Sequence, residues 1–227
     1  MNWFDMNSAL NRIKTFLSRW SALISHLDLN VRPSSMLECY SFVSVVEAYT
    51  SCGFSVQRMG PSGQIVFKRS VTAIPDRYTY FVVSKQGITH EIRLNQGYKN
   101  VDDVFFNLDI TISNSRDCLN KGTLESQNIF TFCECKHYRV FYPSTCANFL
   151  GLARVVMPSN ILWKDWYNPS QHAYPPPALL VSGSASSYVH NMVSSVRKRR
   201  YHVRFFDNIS PRGCTIRTLT SWIARTI

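Results

Sequence analysis

The chain has 227 residues, 45% hydrophobic and 17% charged, enough for one well-buried domain and too few for two ordinary ones; that balance excludes a disordered chain, and no apolar run approaches the roughly 20 residues a bilayer span needs. A formal net charge of +11 calls for a polyanionic partner, nucleic acid before any other, with a merely solvated basic face as the alternative. Seven cysteines without regular spacing suit a reducing, cytoplasmic compartment, and the first residues lack the basic-then-apolar order of a signal peptide, so a soluble protein with no membrane partner is expected.

Residues 8–27 place Leu10, Ile13, Phe16, Leu17, Trp20, Leu23, Ile24 and Leu27 at helical spacing, opposite Asn11, Arg12, Lys14, Ser18 and Arg19. This predicts an amphipathic helix packed on the core or on a second subunit, a basic membrane-surface helix being the alternative. Leu29-Asn-Val-Arg-Pro33 ends it, dividing the chain into an N-terminal helix, 1–30, and a main domain, 31–227. A second helix is expected from Ser34 or Ser35 to Cys52, closed by Gly53. Ser35 and Glu38 have capping-box spacing, yet Glu38 also falls on the stripe of Phe42, Val45 and Tyr49 that should face a sheet. Glu47 sits among Ser44, Thr50 and Ser51 and reads as solvated.

Phe54-Ser-Val-Gln-Arg-Met59 and Ile65-Val-Phe-Lys68 read as strands about the turn Gly60-Pro-Ser-Gly63. Tyr78-Thr-Tyr-Phe-Val-Val83 and Ile88-Thr-His-Glu-Ile-Arg-Leu94 read as a further hairpin joined by Lys85-Gln-Gly. Asp102 and Asp103 fall in a turn, a structural place for Asp. Two more strands follow, Asn107-Leu-Asp-Ile-Thr-Ile112 and Asn128-Ile-Phe-Thr-Phe-Cys-Glu-Cys-Lys-His137. Phe132, Glu134 and Lys136 share one face of the second, because successive side chains of a strand alternate. A carboxylate and an amine on an otherwise apolar strand are seldom buried without a partner, and Asp109 on the preceding strand could supply it, or a second carboxylate for a cation. Cys133, Cys135 and His137 take the opposite face. With Cys118 and Cys146 they form an inventory for Zn²⁺, but alternate strand residues are nearly 7 Å apart, by twice the strand rise, and packing as small hydrophobes is the preferred reading.

Residues 144–156 suggest a helix lying on the sheet, with Ala147, Phe149, Leu150, Leu152, Ala153 and Val156 apolar. Ile161-Leu-Trp-Lys-Asp-Trp-Tyr167 and Pro175-Pro-Pro177 form an aromatic, proline-rich connection. Ala178-Leu-Leu-Val181 is apolar throughout, as a central parallel strand would be. Residues 184–200 read as a helix ending in Arg197-Lys-Arg-Arg200, Tyr201-His-Val-Arg-Phe-Phe206 as a strand and 215–224 as a last helix. Beyond residue 155 nine cations face two carboxylates, Asp165 and Asp207, a net of +7.

An Asp on one strand followed by Glu-x-Lys on the next resembles the PD-(D/E)xK nuclease superfamily, with Asp109, Glu134 and Lys136 in the motif positions. Leu108 stands where that motif has Pro, and a long polar loop, 113–127, separates the two strands. The order of helix, hairpin strands, Asp strand, Glu-x-Lys strand, helix, strand, helix also matches over most of the chain after residue 34. The resemblance implies an α/β fold with a restriction-endonuclease-like core: a central mixed β-sheet flanked by helices, the N-terminal amphipathic helix being an addition. It implies a Mg²⁺ (or Mn²⁺) dependent nuclease acting on DNA more than RNA, with Asp109, Glu134 and the Cys135 carbonyl as metal ligands. Glu38 is a further candidate ligand. Lys136 would orient the attacking water. Pro75-Asp76 with Glu91-Ile-Arg93 mimics the motif less well, since Arg presents a wide fork that keeps its proton; Glu91 is still a candidate to approach the site. Arg197, Lys198, Arg199, Arg200 and Arg204 would hold the phosphate backbone, with Tyr138, Trp163, Trp166 or Tyr167 stacking on bases. A homodimer touching through the first helix would suit cutting of both strands. The alternative is a non-catalytic nucleic-acid-binding or scaffold subunit of the same fold.

Overall fold

The computed structural model describes residues 4–20, 32–62, 65–67, 77–99, 104–113, 124–125, 129–156, 175–198, 202–213 and 215–224. These form a mixed sheet with helices on both faces. α1 (Met6–Leu17) starts at Asp5, whose side chain accepts the Ser8 N–H, and passes into a short 3₁₀ turn, Ser18–Trp20; residues 21–31 of the expected long helix lie outside the described ones. The apolar stripe of α1 faces inward: Ile13, Phe16 and Leu17 are buried in one cluster with α2 (Pro33–Ser51) and the sheet. Within Met6–Leu17 the stripe is therefore spent on the core.

α2 begins one or two residues earlier than expected, with Pro33 in its first turn and no side-chain cap. Pro suits that position because its missing N–H would be unpaired there anyway. The capping box of Ser35 and Glu38 does not form, which leaves Glu38 for other work. Glu47 is not solvated either: its side chain is 14% exposed and pairs with Arg12 at 3.6 Å and Arg19 at 3.8 Å, tying α2 to α1.

β1 (Ser55–Met59), β2 (Tyr80–Lys85), β3 (Ile88–Lys99) and β4 (Phe105–Ser113) form an antiparallel ribbon that continues into β6 (Ile129–Lys136). The two-residue β5 (Leu124–Glu125) pairs with the far end of β3. Gln86 (φ 50°) and Gly87 (φ 84°) make the tight β2–β3 turn, where left-handed backbone matches the strand twist. Residues 65–67, expected as a strand, join no ladder; Val66 exchanges hydrogen bonds with the backbone and hydroxyl of Thr79 instead.

After β6 the chain forms β7 (Val140–Phe141) and α3 (Pro143–Val156), then β8 (Ala178–Val181), β9 (Ser184–Ala185), α4 (Ser187–Lys198), β10 (Arg204–Phe206) and α5 (Thr215–Ala224). β8 lies between β6 and β10, parallel to both, and all four of its residues are buried. That is the place its unbroken apolar run implied, since a strand covered on both faces has no polar side to show. β7 and β9 pair with each other in a small separate sheet. One sheet face carries α1, α2 and α5 over Phe81, Ile92, Ile110 and Cys133; the other carries α3 and α4 over Leu108, Phe132, Leu179 and Phe205. No described helix is long and apolar enough to cross a membrane.

Candidate functional site: a carboxylate gap between two strands

The β4–β6 ladder runs through Ile112 and Thr131, Thr111 and Phe132, and Ile110 and Cys133, where it stops. β6 continues, paired on its other edge with β8 as far as Lys136 opposite Val181. Just past the last β4–β6 pair, Asp109 Oδ2 accepts the Cys135 N–H at 2.7 Å. A side chain thus stands where a backbone carbonyl of β4 would otherwise be. The N–H and C=O of one strand residue point to the same edge, so the Cys135 carbonyl faces the same opening.

Glu134 and Lys136 meet beside it, Nζ to Oε1 at 2.5 Å. The second carboxylate oxygen, Oε2 of Glu134, is buried without a hydrogen-bond partner. Such an atom costs about 1–3 kcal/mol, more when charged, and in a native protein asks for an explanation. Glu38 arrives from α2, and its Oε2 accepts from Asn95 Nδ2 at 3.3 Å. Asn95 is left-handed (φ 51°) and lies between the pairs Leu94 with Ile110 and Gln96 with Leu108, hence level with Asp109.

Three carboxylates and one amine therefore share a largely buried opening. Burial pushes Glu38 up to about 7, Asp109 adding to the shift while the Asn95 amide and Lys136 oppose it. Burial likewise raises Glu134 to about 7, with Asp109 and Glu38 pushing the same way and Lys136 pulling back. Asp109 is raised by burial against the pull of Lys136 and the Cys135 N–H. Burial works against the charge of Lys136, but Glu134 and Asp109 outweigh it and hold the ammonium above its ordinary range. Acidic groups exceed cations here, and the surplus is what a divalent cation would neutralise.

Among the described residues no group of three or more His, Cys, Asp or Glu side chains is arranged to hold a metal ion. Mg²⁺ does not demand one, because it commonly takes one or two carboxylates and completes its shell with water and substrate oxygens. The carboxylates of Asp109 and Glu134, the latter with one orphaned oxygen, and a backbone carbonyl at the strand edge are donors of the kind such a sparse site would use.

Glu91 is not part of the opening. It pairs in register with Ser113, four residues along β4 from Asp109 and about 13 Å away at the strand rise. It forms a buried 2.9 Å ion pair with Arg93, whose guanidinium lies 3.6 Å from the Tyr80 ring centre. That arrangement is structural. Cys133 and Cys135 are buried, and burial raises both thiols; His137 Nδ1 lies 3.3 Å from the Ser182 hydroxyl and its ring packs on Phe4.

Of the basic residues, Arg199 and Arg200 lie outside the described ones, as do Trp163, Trp166, Tyr167, Asp76 and Cys118. Arg197 and Lys198 end α4. Since α4 connects parallel β8 to β10, it runs back against the strands, and its basic end lies toward their N-terminal ends. Lys136 lies at the C-terminal end. About 18 Å of helix spans the difference, so the described basic end of α4 lies away from the carboxylates. Arg204, half-buried in β10, directs Nη1 to the Val203 carbonyl at 3.5 Å. Tyr138, two residues past Lys136, is 43% exposed.

Asn95 is the residue that strand periodicity missed. The signal was an Asn directly after an apolar strand, one of the few residue types that accept left-handed backbone within a ladder. The chain just past β6 and β8 has its own constraint: a Cβ on Gly183 would stand 2.0 Å from the Tyr138 carbonyl oxygen and 2.2 Å from that of Arg139. Gly183→Ala should force apart the segments that follow β6 and β8, costing about 3 kcal/mol or more in urea unfolding. A loss below about 0.5 kcal/mol would show that this close approach does not matter.

Comparison with protein-family models, curated proteins and solved structures found no match.

Proposed function

We propose that the protein is a Mg²⁺-dependent hydrolase of phosphodiester bonds in DNA, working at the opening between β4 and β6. The observation that carries this reading is the meeting of Asp109, Glu134 and Glu38 with Lys136 where the ladder ends, including a buried carboxylate oxygen with nothing to bind. Asp109, Glu134 and the Cys135 carbonyl would hold the ion, with Glu38 completing the acidic set. A bound Mg²⁺ supplies a water of lowered pKa and neutralises charge on the scissile phosphate. Lys136 stays protonated at neutral pH, so it serves as a fixed donor to the water or to a phosphate oxygen and not as a base. Asn95 keeps Glu38 turned into the opening. The Cys135 N–H holds Asp109 in one orientation, which limits the reorganisation that substrate binding requires.

A non-catalytic nucleic-acid-binding role is the second reading, favoured by the Glu134–Lys136 pair, which satisfies much of the site's charge without a cation. One assay separates the two: plasmid and single-stranded DNA with Mg²⁺ or Mn²⁺, with and without a chelator. The nuclease reading expects cleavage that the chelator stops. Binding without cleavage under every condition leaves the second reading. For either, Arg197→Gln combined with Lys198→Gln should lower the slope of log affinity against log salt by about 1 per charge removed, measured by filter binding across salt concentrations.

A further inference from the structure

A cavity of about 270 Å³ opens against α4, outside the carboxylate gap. Phe141, Val189, Val193 and Phe205 form its apolar walls, and His190 and Asp207 contribute polar groups. It lies at the same end of the sheet as Lys136. Phe141 sits in β7, five residues after Lys136, and Asp207 directly follows the last residue of β10. Crevices outside the carboxyl ends of parallel strands are where sheets of this kind take ligands. The volume is just below the ~300 Å³ at which pockets for drug-sized molecules begin, which suits a single ring system.

The chemistry narrows the occupant. Two phenyl rings and two valines favour a flat, weakly hydrated ring. Asp207 repels phosphate and accepts N–H donors. Its Oδ2 is held by the Ala185 N–H and the Asn208 amide, each at 3.1 Å, and no hydrogen bond among the described residues uses Oδ1. α4 has no acidic residue and ends in Arg197 and Lys198, so an attached phosphate chain meets no repulsion along it. Tyr142 and Tyr188, chain neighbours of Phe141 and Val189, are 60% and 72% exposed and offer stacking faces beside the cavity.

We propose that this cavity receives an unpaired nucleobase bearing an exocyclic amino group, taken from the strand whose phosphate lies at the carboxylate gap. The inference rests on the nucleic-acid reading above and deepens it. A base inside a duplex is stacked and paired, so the substrate is single-stranded or locally opened.

The test uses the full chain carrying Lys136→Ala, to prevent cleavage, titrated with single-stranded oligodeoxyadenylate, oligodeoxycytidylate and oligothymidylate at one salt concentration by fluorescence anisotropy. The first two should bind about tenfold more tightly than oligothymidylate, whose one N–H donor lies between two carbonyl oxygens that the Asp207 carboxylate repels. Val193→Trp, which fills the cavity, should erase that preference and weaken oligodeoxyadenylate binding about tenfold while leaving the salt slope unchanged. Asp207→Asn keeps the Ala185 contact and should also erase the preference, which covers the case in which the tryptophan disturbs folding. Equal affinity for all three oligonucleotides, unaffected by either variant, overturns the cavity assignment and leaves the nucleic-acid reading standing. No binding of any oligonucleotide overturns both.

Discussion

Lys136→Ala should reduce DNA cleavage about 10³-fold while binding to the same DNA changes little. Removing one preorganised donor from a reacting site commonly costs 10²–10³ in rate. Here the loss is compounded, because Lys136 is the cation that holds Glu134 back from still stronger protonation. Without it Glu134 is neutral at pH 7 and a poor ligand for a cation. Affinity for DNA rests on many dispersed cations and should survive. Lys136→Arg should not restore activity, because a wide planar fork does not reproduce the compact charge that Lys136 sets against Glu134 Oε1. Single-turnover cleavage beside a binding titration separates the two effects. Equal loss of binding and cleavage would make Lys136 a phosphate anchor only.

Glu38→Gln should stabilise the protein at pH 8 and leave it nearly unchanged at pH 5. The folded state raises Glu38 from 4.5 to about 7, chiefly by burial. A carboxyl raised in this way contributes stability that is fully present below pH 4.5 and is lost as pH rises through 7. At pH 8 the ionised Glu38 therefore weighs against folding by on the order of 3 kcal/mol, and glutamine, a neutral mimic of the protonated acid, removes that weight. At about 2–4 °C per kcal/mol for a chain of this size, the midpoint should rise about 6–12 °C at pH 8. Glu134→Gln should act in the same direction, since Glu134 is raised to about 7 by burial and by Asp109. Both variants should lose cleavage, the usual exchange between a strained site and stability. Thermal melts at the two pH values decide the matter; equal shifts at pH 5 and pH 8 would mean that the carboxylate is not charged at the expense of folding.

How much of this was legible in the sequence depends on how local the cause is. Ala178–Val181 shows its central place because a strand apolar from end to end has no polar side to turn to solvent. Glu134 and Lys136 stand out for the converse reason, charges on a strand otherwise apolar, and Asp109 does the same on β4. The division of β6 into a charged face and a thiol face follows from period-two alternation alone. Long-range pairing is less visible. Glu47 looks solvated beside its serines, and only the approach of α1 brings Arg12 and Arg19 to it. β7 and β9 have two residues each, too short for any period to register. β3 was expected to end at Leu94; the ladder absorbs a left-handed Asn95 and continues to Lys99. That one irregularity puts an amide in reach of Glu38. The basic run of residues 197–200 was plain as charge, but only the β8–α4–β10 crossover reveals that its helical part ends away from Lys136.

The central claim is that the opening between β4 and β6 takes a divalent cation through Asp109 and Glu134. Mn²⁺ titration of the full chain at pH 8, followed by electron paramagnetic resonance, tests it without reference to any substrate. Wild type should show a saturable site that Mg²⁺ displaces, and Asp109→Asn, which keeps an acceptor for the Cys135 N–H, should fold but lose that site. A wild-type chain that takes up no Mn²⁺, or an Asp109→Asn chain that binds it equally well, would contradict the account.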